Sequence, residues 1–260
     1  MQKKDKSEYI IQAVSHALDL LEQFHDDIDE LGVTELSKRL KLHKNNVFRL
    51  LATLESRGYI EQNKATENYR LGLNSLELGQ TFIKQMGLLR QAKPILDQVV
   101  HECNETSYVA IFKDEHSVYL DVVETDLTVR VVSRVGSRLP AFATAAGKVH
   151  LAYMSSEELL EMFPIEELET FTPTTLATRT ALFAELKKIA EQGYAIDNEE
   201  LDAGVRCIAA PIRDYTRRIV GAIIISGPSM RMSPERTEKE LTPLAMKASA
   251  DLSTRLGYNA

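Results

Sequence analysis

One stretch near the N-terminus, residues 34–71, restricts the possible folds more than any other part of the chain. Apolar residues recur at helical spacing in residues 34–40 and again in residues 44–57, with only three residues between the two patterns. Gly58 is placed to end the second helix as a C-terminal cap. Alternating residues on either side of a turn in residues 59–71 predict a β-hairpin. The order helix, turn, helix, hairpin predicts a winged helix-turn-helix.

Two further features of the helices follow from the same spacing. Thr34 is the expected N-cap of the first of these helices. A longer amphipathic helix of about four turns is predicted before it. Its apolar residues are Ile10, Val14, Leu18, Leu21 and Phe24.

The helix predicted over residues 44–57 has an outer face suited to DNA. Its expected buried stripe is Val47, Leu50, Leu51 and Leu54. On the remaining faces, Arg can pair with guanine, Asn with adenine, and an apolar ring can contact a thymine methyl group. Basic residues before the helix and at the hairpin tip would lie near phosphates. The predicted DNA-binding residues are Lys38, Arg39, Lys44, Asn45, Asn46, Phe48, Arg49, Thr53 and Lys64.

A solvated helical face is the alternative interpretation of this charged pattern, and the distribution of charge bears on it. The chain has a formal net charge of −7, from 31 Lys and Arg against 38 Asp and Glu. Residues 1–90 are neutral, with 13 of each, so all the excess negative charge lies after them. A surface that binds a polyanion is therefore expected only in the N-terminal third.

The composition argues against a membrane protein, a secreted protein and a disulfide-rich protein. Hydrophobic residues make up 44% of the chain, yet no run approaches the roughly 18 apolar residues of a membrane helix. No secretory signal is recognised at the N-terminus. The only two cysteines, Cys103 and Cys207, cannot form a dense disulfide framework. We expect a cytoplasmic protein that does not associate with membranes.

The pattern after about residue 106 differs from that of the N-terminal third. Runs rich in β-formers alternate with helical patterns, which predicts an α/β protein of the α+β kind with a mostly antiparallel sheet, as in GAF-like sensor domains. A helix over residues 73–86 connects the two regions. The predicted strands cover residues 107–112, 118–123, 129–132, 207–212 and 219–226, and the predicted helices cover about 146–154, 156–162, 179–193 and 234–256.

Motifs along nearly the whole chain resemble the IclR family of bacterial transcription regulators. The N-terminal motif is KNNVFRLLATLESRGYIEQN followed by YRLG, and three C-terminal blocks cover residues 139–148, 193–212 and 221–228. Asn45 and Asn46 stand where Ser-Thr is commoner in the family, which should alter the base preference. The resemblance implies a DNA-binding domain in residues 1–73, a linker helix in 74–88 and an effector-binding domain in 89–260. It also implies a homodimer, often paired into a dimer of dimers, on a near-palindromic double-stranded DNA operator.

The resemblance also implies a closed pocket for a small-molecule effector. The matching residues are Leu139, Ala145, Ala146, Asp197, Cys207, Ile224 and Ser226. The helix that starts after Thr144 could bind a carboxylate at its first amides. Ile224 stands where the family often has Ser, which favours an aromatic or longer organic acid over a small keto acid. Each residue also has a structural interpretation, such as close packing, a turn cap or a buried thiol.

Other functions find less support in the sequence. There is no GxSxG, HExxH or Gly-rich phosphate loop, and no His adjoins Asp197 or Cys207. We therefore expect no catalytic residues, no metal site and no cofactor. A sensor or enzyme that acts through the C-terminal domain without sequence-specific DNA binding remains the alternative. The sequence predicts a ligand-responsive transcription regulator, and repression is favoured over activation.

Overall fold

The computed structural model describes residues 10–24, 28–85, 87–132 and 135–259 of the 260-residue chain. The chain divides into two compact units, Met1–Gln85 and Met86–Ala260. Met86, which belongs to the predicted linker, lies outside the described residues. The three-part division at residues 73 and 88 therefore stays a prediction.

The first unit has the element order expected of a winged helix-turn-helix, with one more helix after the wing. Among its described residues, seven buried side chains form its core: Leu20, Leu31, Leu36, Val47, Leu51, Ile60 and Tyr69. The two strands pair antiparallel, and Gly58 adopts the left-handed conformation (φ +69°) after the third helix. The elements are α1 (Gln12–Leu21), α2 (Val33–Leu40), α3 (Lys44–Ser56), β1 (Ile60–Gln62), β2 (Tyr69–Leu71) and α4 (Leu73–Gln85).

The first helix is shorter than predicted. It has 10 residues, so Ile10 precedes it, and the fully buried residue is Leu20. Of the apolar residues listed for this helix, Leu21 and Phe24 pack against the core, whereas Val14 and Leu18 are each 54% exposed. Apolar residues lie on more than one side of this helix, and their spacing alone does not decide which side packs. The cap prediction is also wrong, because α2 begins at Val33 and no side chain caps it.

The second unit is an α+β domain, as predicted, and its described residues form a six-stranded sheet. The strand order is β5-β4-β3-β8-β7-β6, and every pairing is antiparallel. A 3₁₀ turn (Ala141–Ala143) and a π-helical turn (Thr237–Leu241) complete the element list. The elements are α5 (Gly87–Cys103), β3 (Thr106–Lys113), β4 (His116–Val123), β5 (Arg138–Pro140), α6 (Ala145–Leu151), α7 (Ser156–Met162), α8 (Arg179–Gln192), β6 (Ala195–Asn198), β7 (Val205–Arg213), β8 (Ile219–Pro228), α9 (Pro234–Arg236) and α10 (Thr242–Arg255).

Alternation along the strands divides the interior of this unit into two apolar cores. Ile223 and Ile225 pack with α5 and α10 on one face, whereas Ile224 packs with α6 and α8 on the other. The run from Ile223 to Ile225, which is apolar throughout, thus contributes one side chain to the second face. That face also carries the candidate effector residues.

The strand predicted over residues 129–132 is absent from the described part of the chain. Val129 and Val132 are 59% and 65% exposed there. Side chains rather than a neighbouring strand satisfy the carbonyls of this segment: Thr106 Oγ1 donates to Val131 O and Tyr108 Oη to Val132 O. The prediction is wrong because β-propensity reports a fit to a pleated, half-buried surface, and no such surface is offered here.

Candidate functional site

The start of α3 is fixed by the turn that precedes it. Lys41 takes a left-handed conformation (φ 54°), and Ser37 Oγ donates to Leu42 O at 2.6 Å. His43 is the N-cap, and its Nδ1 accepts a long hydrogen bond from Asn45 N at 3.4 Å. A polar cap of this kind satisfies one amide of the first turn and fixes where the helix begins.

Helical geometry decides which side chains of α3 point away from the core. Val47 and Leu51 are fully buried. At about 100° per residue, Asn45 and Arg49 lie opposite them, and both are exposed. These two are the candidate residues best placed to enter a DNA groove.

The other candidates on α3 lie on its flanks. Asn46 and Thr53 line a groove of about 620 Å³ between α1 and α3, which Arg49 also borders. Thr53 Oγ1 donates to Arg49 O at 2.8 Å. On the opposite flank, Phe48 is 56% exposed, and Lys44 is exposed at the first turn. The side chains expected to bind bases thus spread over three sides of one helix.

The wing is held by an acidic residue that the sequence interpretation overlooked. Glu30 accepts hydrogen bonds of 2.6 Å from Thr66 Oγ1 and from Asn63 Nδ2, in the turn between β1 and β2. These hydrogen bonds, that of Thr66 foremost, lower the pKa of Glu30. Lys64, at the tip of the turn, is exposed. Ionised Glu30 thus supports the loop that carries the predicted phosphate contact.

The basic residues of α2 differ in their surroundings. Lys38 is exposed, whereas Arg39 forms an ion pair with Glu35 at 2.6 Å one turn earlier on the helix. A pair of this kind on a surface stabilises by only about 0.3–0.5 kcal/mol. A phosphate could therefore displace Glu35 at little cost.

In the second unit, three of the predicted effector residues lie side by side across the sheet. Asp197 on β6 pairs in register with Cys207 on β7, which pairs with Ser226 on β8. Cys207 Sγ lies 3.2 Å from Ser226 Oγ, within hydrogen-bonding distance. The fold therefore brings together residues that are up to 29 positions apart in sequence.

These residues line a small cavity of about 20 Å³. A volume of this size admits about one water molecule. Any effector of several carbon atoms must therefore displace part of the wall. The residues that line the cavity are Tyr108, Tyr119, Val131, Leu139, Thr144, Asp197, Leu201, Asp202, Val205, Cys207, Ile224 and Ser226.

Five of the seven predicted effector residues line this cavity, and Ala145 and Ala146 do not. Both alanines are buried in the first turn of α6, and Thr144 lies at the cavity in their place. Thr144 Oγ1 accepts from Gly147 N at 3.2 Å and is 2.9 Å from Ser117 Oγ. The first amides of α6 are thus partly satisfied by the cap, and this helix has only seven residues.

Burial raises the pKa of Asp197 to about 7, against 3.8 for an exposed aspartate. The residue is 4% exposed. Its Oδ1 accepts from Glu200 N at 2.7 Å, which opposes the shift, while the negative charge of Glu200 adds to it. Asp197 is therefore about half protonated at neutral pH and can donate a hydrogen bond as well as accept one.

The raised pKa of Asp197 predicts a pH-dependent stability. The protonated group stabilises the fold fully below pH 3.8, and this contribution is lost as the pH rises through 7. Asp197→Asn cannot ionise, so its free energy of unfolding should increase relative to the wild type between pH 5 and 8, by on the order of 4 kcal/mol at most. Urea denaturation of both proteins across this range measures the difference. A difference that does not vary with pH would contradict the assignment.

A buried ion pair joins two walls of the cavity. Lys148 Nζ on α6 donates to Glu200 Oε1 at 2.5 Å and to Ile196 O at 2.7 Å. The two charged side chains are only 1% and 7% exposed. Glu200 Oε1 also accepts from Asn198 N at 3.3 Å. The pair thus ties α6 to the segment just after β6, and the bond to Ile196 O ties it to β6 itself, the strand that carries Asp197.

Sequence reasoning missed several cavity residues and this ion pair. Tyr108 and Tyr119 could have been found, because they alternate with residues of the opposite face on predicted strands. Their rings meet edge to face at 5.4 Å. Lys148 and Glu200 gave no local signal, since 52 residues separate them.

Among the described residues, no helix is long and apolar enough to cross a membrane.

Comparison with known proteins identifies the family. The model described as "IclR helix-turn-helix domain" matches residues 13–64, and "Bacterial transcriptional regulator IclR C-terminal" matches residues 80–254. The transcriptional regulator XynR of Escherichia coli K12 is 36% identical over 96% of this chain and 99% of its own. The transcriptional repressor AllR of the same strain is 32% identical over 96% and 92%.

Solved structures agree with the relatives found by sequence. A putative transcriptional regulator from Rhodococcus sp. RHA1 has a TM-score of 0.85 and 28% identity, and the match covers 95% of this chain and 99% of that one. These proteins are transcriptional regulators and not enzymes, which excludes the enzymatic alternative. The helix-turn-helix and the effector domain together make this chain a ligand-responsive, DNA-binding transcriptional regulator. It belongs to the IclR family of bacterial transcriptional regulators.

Proposed function

We propose that α3 enters the major groove of an operator and that Asn45 and Arg49 read its bases. The observation that carries this proposal is their position opposite the buried residues Val47 and Leu51. An arginine in the major groove pairs with O6 and N7 of guanine, and an asparagine pairs with adenine. Asn46, Phe48 and Thr53 contact neighbouring bases or sugars from the flanks of the helix.

The basic residues around α3 position the unit on the DNA backbone. Lys38, Arg39 and Lys44 bind phosphates on one side of the groove, and Lys64 binds phosphates through the wing. Such contacts supply affinity and make it depend on salt, but they carry no sequence information. The negative charge that follows residue 90 keeps the rest of the surface away from DNA.

We further propose that the protein acts as a symmetric homodimer on a near-palindromic operator. Apolar residues on α1 and α4 support a contact with a second copy: Val14, Leu18, Leu73 and Leu76 are each 54–65% exposed. Burying apolar area of this kind is the main driving force for association. A symmetric dimer reads two inverted half-sites. We expect two such dimers to pair into a tetramer.

For the second unit we propose a small organic acid with an apolar or aromatic body as the effector. Tyr108, Tyr119 and Ile224 supply apolar walls, and Asp197 and Ser226 supply hydrogen-bonding groups. Protonated Asp197 can donate to a carboxylate. Binding must open the cavity, so the measured affinity is reduced by the population of the open state. The ligand shifts DNA binding only by its difference in affinity between the two states.

Calorimetry with two classes of acid tests the effector proposal. Benzoate and phenylacetate represent aromatic acids, whereas glyoxylate and pyruvate represent two- and three-carbon acids. We expect measurable heat only with the first class, and loss of that heat in Tyr119→Ala. Tight binding of glyoxylate or pyruvate without binding of the aromatic acids would contradict the proposal.

Selection from a random duplex library tests the DNA-binding proposal. The purified full chain is incubated with the library at near-physiological salt, and the retained duplexes are sequenced. We expect an enriched motif with two-fold symmetry. Retention without a motif, lost steeply as salt rises, would mean that only phosphates are contacted and would contradict base reading by α3.

The proposal also covers the direction of regulation and the cellular location of the protein. We infer that the protein is a repressor, a role that the name of the relative AllR also states for that protein. A repressor releases its operator when the effector binds, so addition of effector should weaken DNA retention. Because its target is chromosomal DNA, we place the protein in the cytoplasm.

A further inference from the structure

The C-terminal end of α3 is hydrogen-bonded directly to the first turn of α4. Asn74 Nδ2 donates to Arg57 O at 2.7 Å, and Asn74 N donates to Gly58 O at 3.1 Å. Ser75 Oγ donates to Tyr59 O at 2.9 Å. Two side chains of α4 thus bind carbonyls at or just beyond the end of α3, where helical carbonyls lack partners within the helix.

The backbone at this junction is closely packed. Gly58 has φ +69°, a conformation that residues with a side chain rarely adopt. At Gly72, a Cβ atom would lie 2.4 Å from Gly58 O. Gly72 N also donates to Tyr59 O at 2.8 Å. The chain segments before and after the wing therefore meet at backbone contact, which leaves α4 little freedom to rotate against α3.

This junction matters because α4 is the last element of the first unit. From Gln85 the chain continues into the second unit. The first turn of α4 therefore offers a direct connection between α3 and whatever acts on α4, whether the second unit or a dimer contact. In a dimer, the direction in which α4 leaves α3 helps to set the separation of the two recognition helices.

We propose that Asn74 and Ser75 are positioning residues that fix α3 on α4 and thereby select the spacing between operator half-sites. This inference rests on the proposed dimeric reading of DNA. Adding one base pair between half-sites rotates one relative to the other by about 34° and lengthens the site. A rigid junction cannot follow that change, whereas a loosened one can. Asn74 and Ser75 themselves need no contact with DNA.

The test uses the full chain and the operator found by selection. Binding is measured on the operator, on duplexes with one or two base pairs inserted or removed at its centre, and on a single half-site. We expect the wild type to lose about tenfold or more in affinity for each altered spacing. Asn74→Ala/Ser75→Ala should bind the single half-site like the wild type but lose most of this discrimination.

Two variants of α4 serve as controls. Thr81 Oγ1 donates to Glu77 O at 2.9 Å, a side-chain hydrogen bond as long as that of Ser75 but confined to the helix. Thr81→Ala should therefore keep the spacing preference. Ser75→Thr retains a hydroxyl and should keep most of the spacing preference. Ser75→Ala alone should lose part of that preference, less than the double variant loses. Half-site affinity shows in each case that the first unit is folded.

The possible outcomes separate the inference from the proposed function. If the double variant retains the wild-type spacing preference, the inference is wrong while the proposed function stands. If Thr81→Ala loses the preference as fully as the double variant, the effect is not specific to the junction and the inference is again wrong. If the wild type itself binds paired half-sites no better than one, the dimeric reading fails, and the inference fails with it.

Discussion

Arg49→Ala is expected to weaken binding to the selected operator by about 1–3 kcal/mol for each recognition helix, or roughly 5–150-fold per half-site. Arg49 lies opposite the buried face of α3 and is exposed, so its guanidinium is available to a guanine edge. Alanine removes the bidentate hydrogen bonds but preserves the helix, since it has the highest helix propensity. Titration of labelled duplexes with the variant measures the loss.

The pattern of the loss distinguishes base reading from simple loss of charge. Arg49→Ala should relax the preference at one base position of each half-site. Lys64→Ala, a matched control that also removes one positive charge, should weaken binding to all sequences alike and reduce the salt slope by about one. If both variants weaken binding uniformly across sequences, Arg49 contacts phosphate only. Effector binding to the second unit should be the same in both.

Lys148→Met is expected to destabilise the second unit by about 3–5 kcal/mol. The substitution removes the cation that faces Glu200 at 2.5 Å and leaves a carboxylate whose side chain is only 7% exposed. It also removes the donor to Ile196 O. Because an uncompensated buried charge costs more than the pair contributes, the loss should exceed that of most point substitutions. Urea denaturation at pH 7, followed by circular dichroism, measures it.

Two further variants show that the effect comes from the unpaired charge. Lys148→Met/Glu200→Leu replaces the pair with apolar side chains and should recover much of the lost stability. Lys187→Met removes a lysine that is exposed on α8, and its effect should stay within about 0.5 kcal/mol. A loss below about 1 kcal/mol for Lys148→Met would show that water or another group compensates Glu200.

The helices and strands that sequence reasoning predicted correctly are those with strong local signals. Gly58 ends α3 near the predicted position, and Val47 and Leu51 are buried as their spacing indicates. For α1 the apolar spacing was only partly informative: Leu21 and Phe24 pack against the core, whereas Val14 and Leu18 are exposed. The predicted strand at residues 129–132 is not formed because no pleated surface is offered to it, and the side chains of Thr106 and Tyr108 bind two of its carbonyls instead. Local pattern does not include such contacts between distant side chains.

The same contrast between local patterns and contacts of distant residues applies to the candidate DNA-binding and effector residues. On α3, helical spacing predicted the buried residues and left six side chains as DNA-binding candidates; the burial of Val47 and Leu51 then places Asn45 and Arg49 opposite the core. The effector residues came from the resemblance to the family rather than from their spacing, and Ala145 and Ala146 are buried but do not line the cavity. The Lys148–Glu200 pair and the raised pKa of Asp197 depend on burial, which follows only from the packed fold.

Methylation interference on the selected operator tests the central claim most directly. Dimethyl sulfate methylates N7 of guanine, which faces the major groove, and N3 of adenine, which faces the minor groove. If α3 reads the major groove in a symmetric dimer, methylated guanines in two inverted half-sites should be depleted from the bound fraction. Depletion only of duplexes methylated at adenine N3, or no depletion at any base, would contradict the account of how this protein reads DNA.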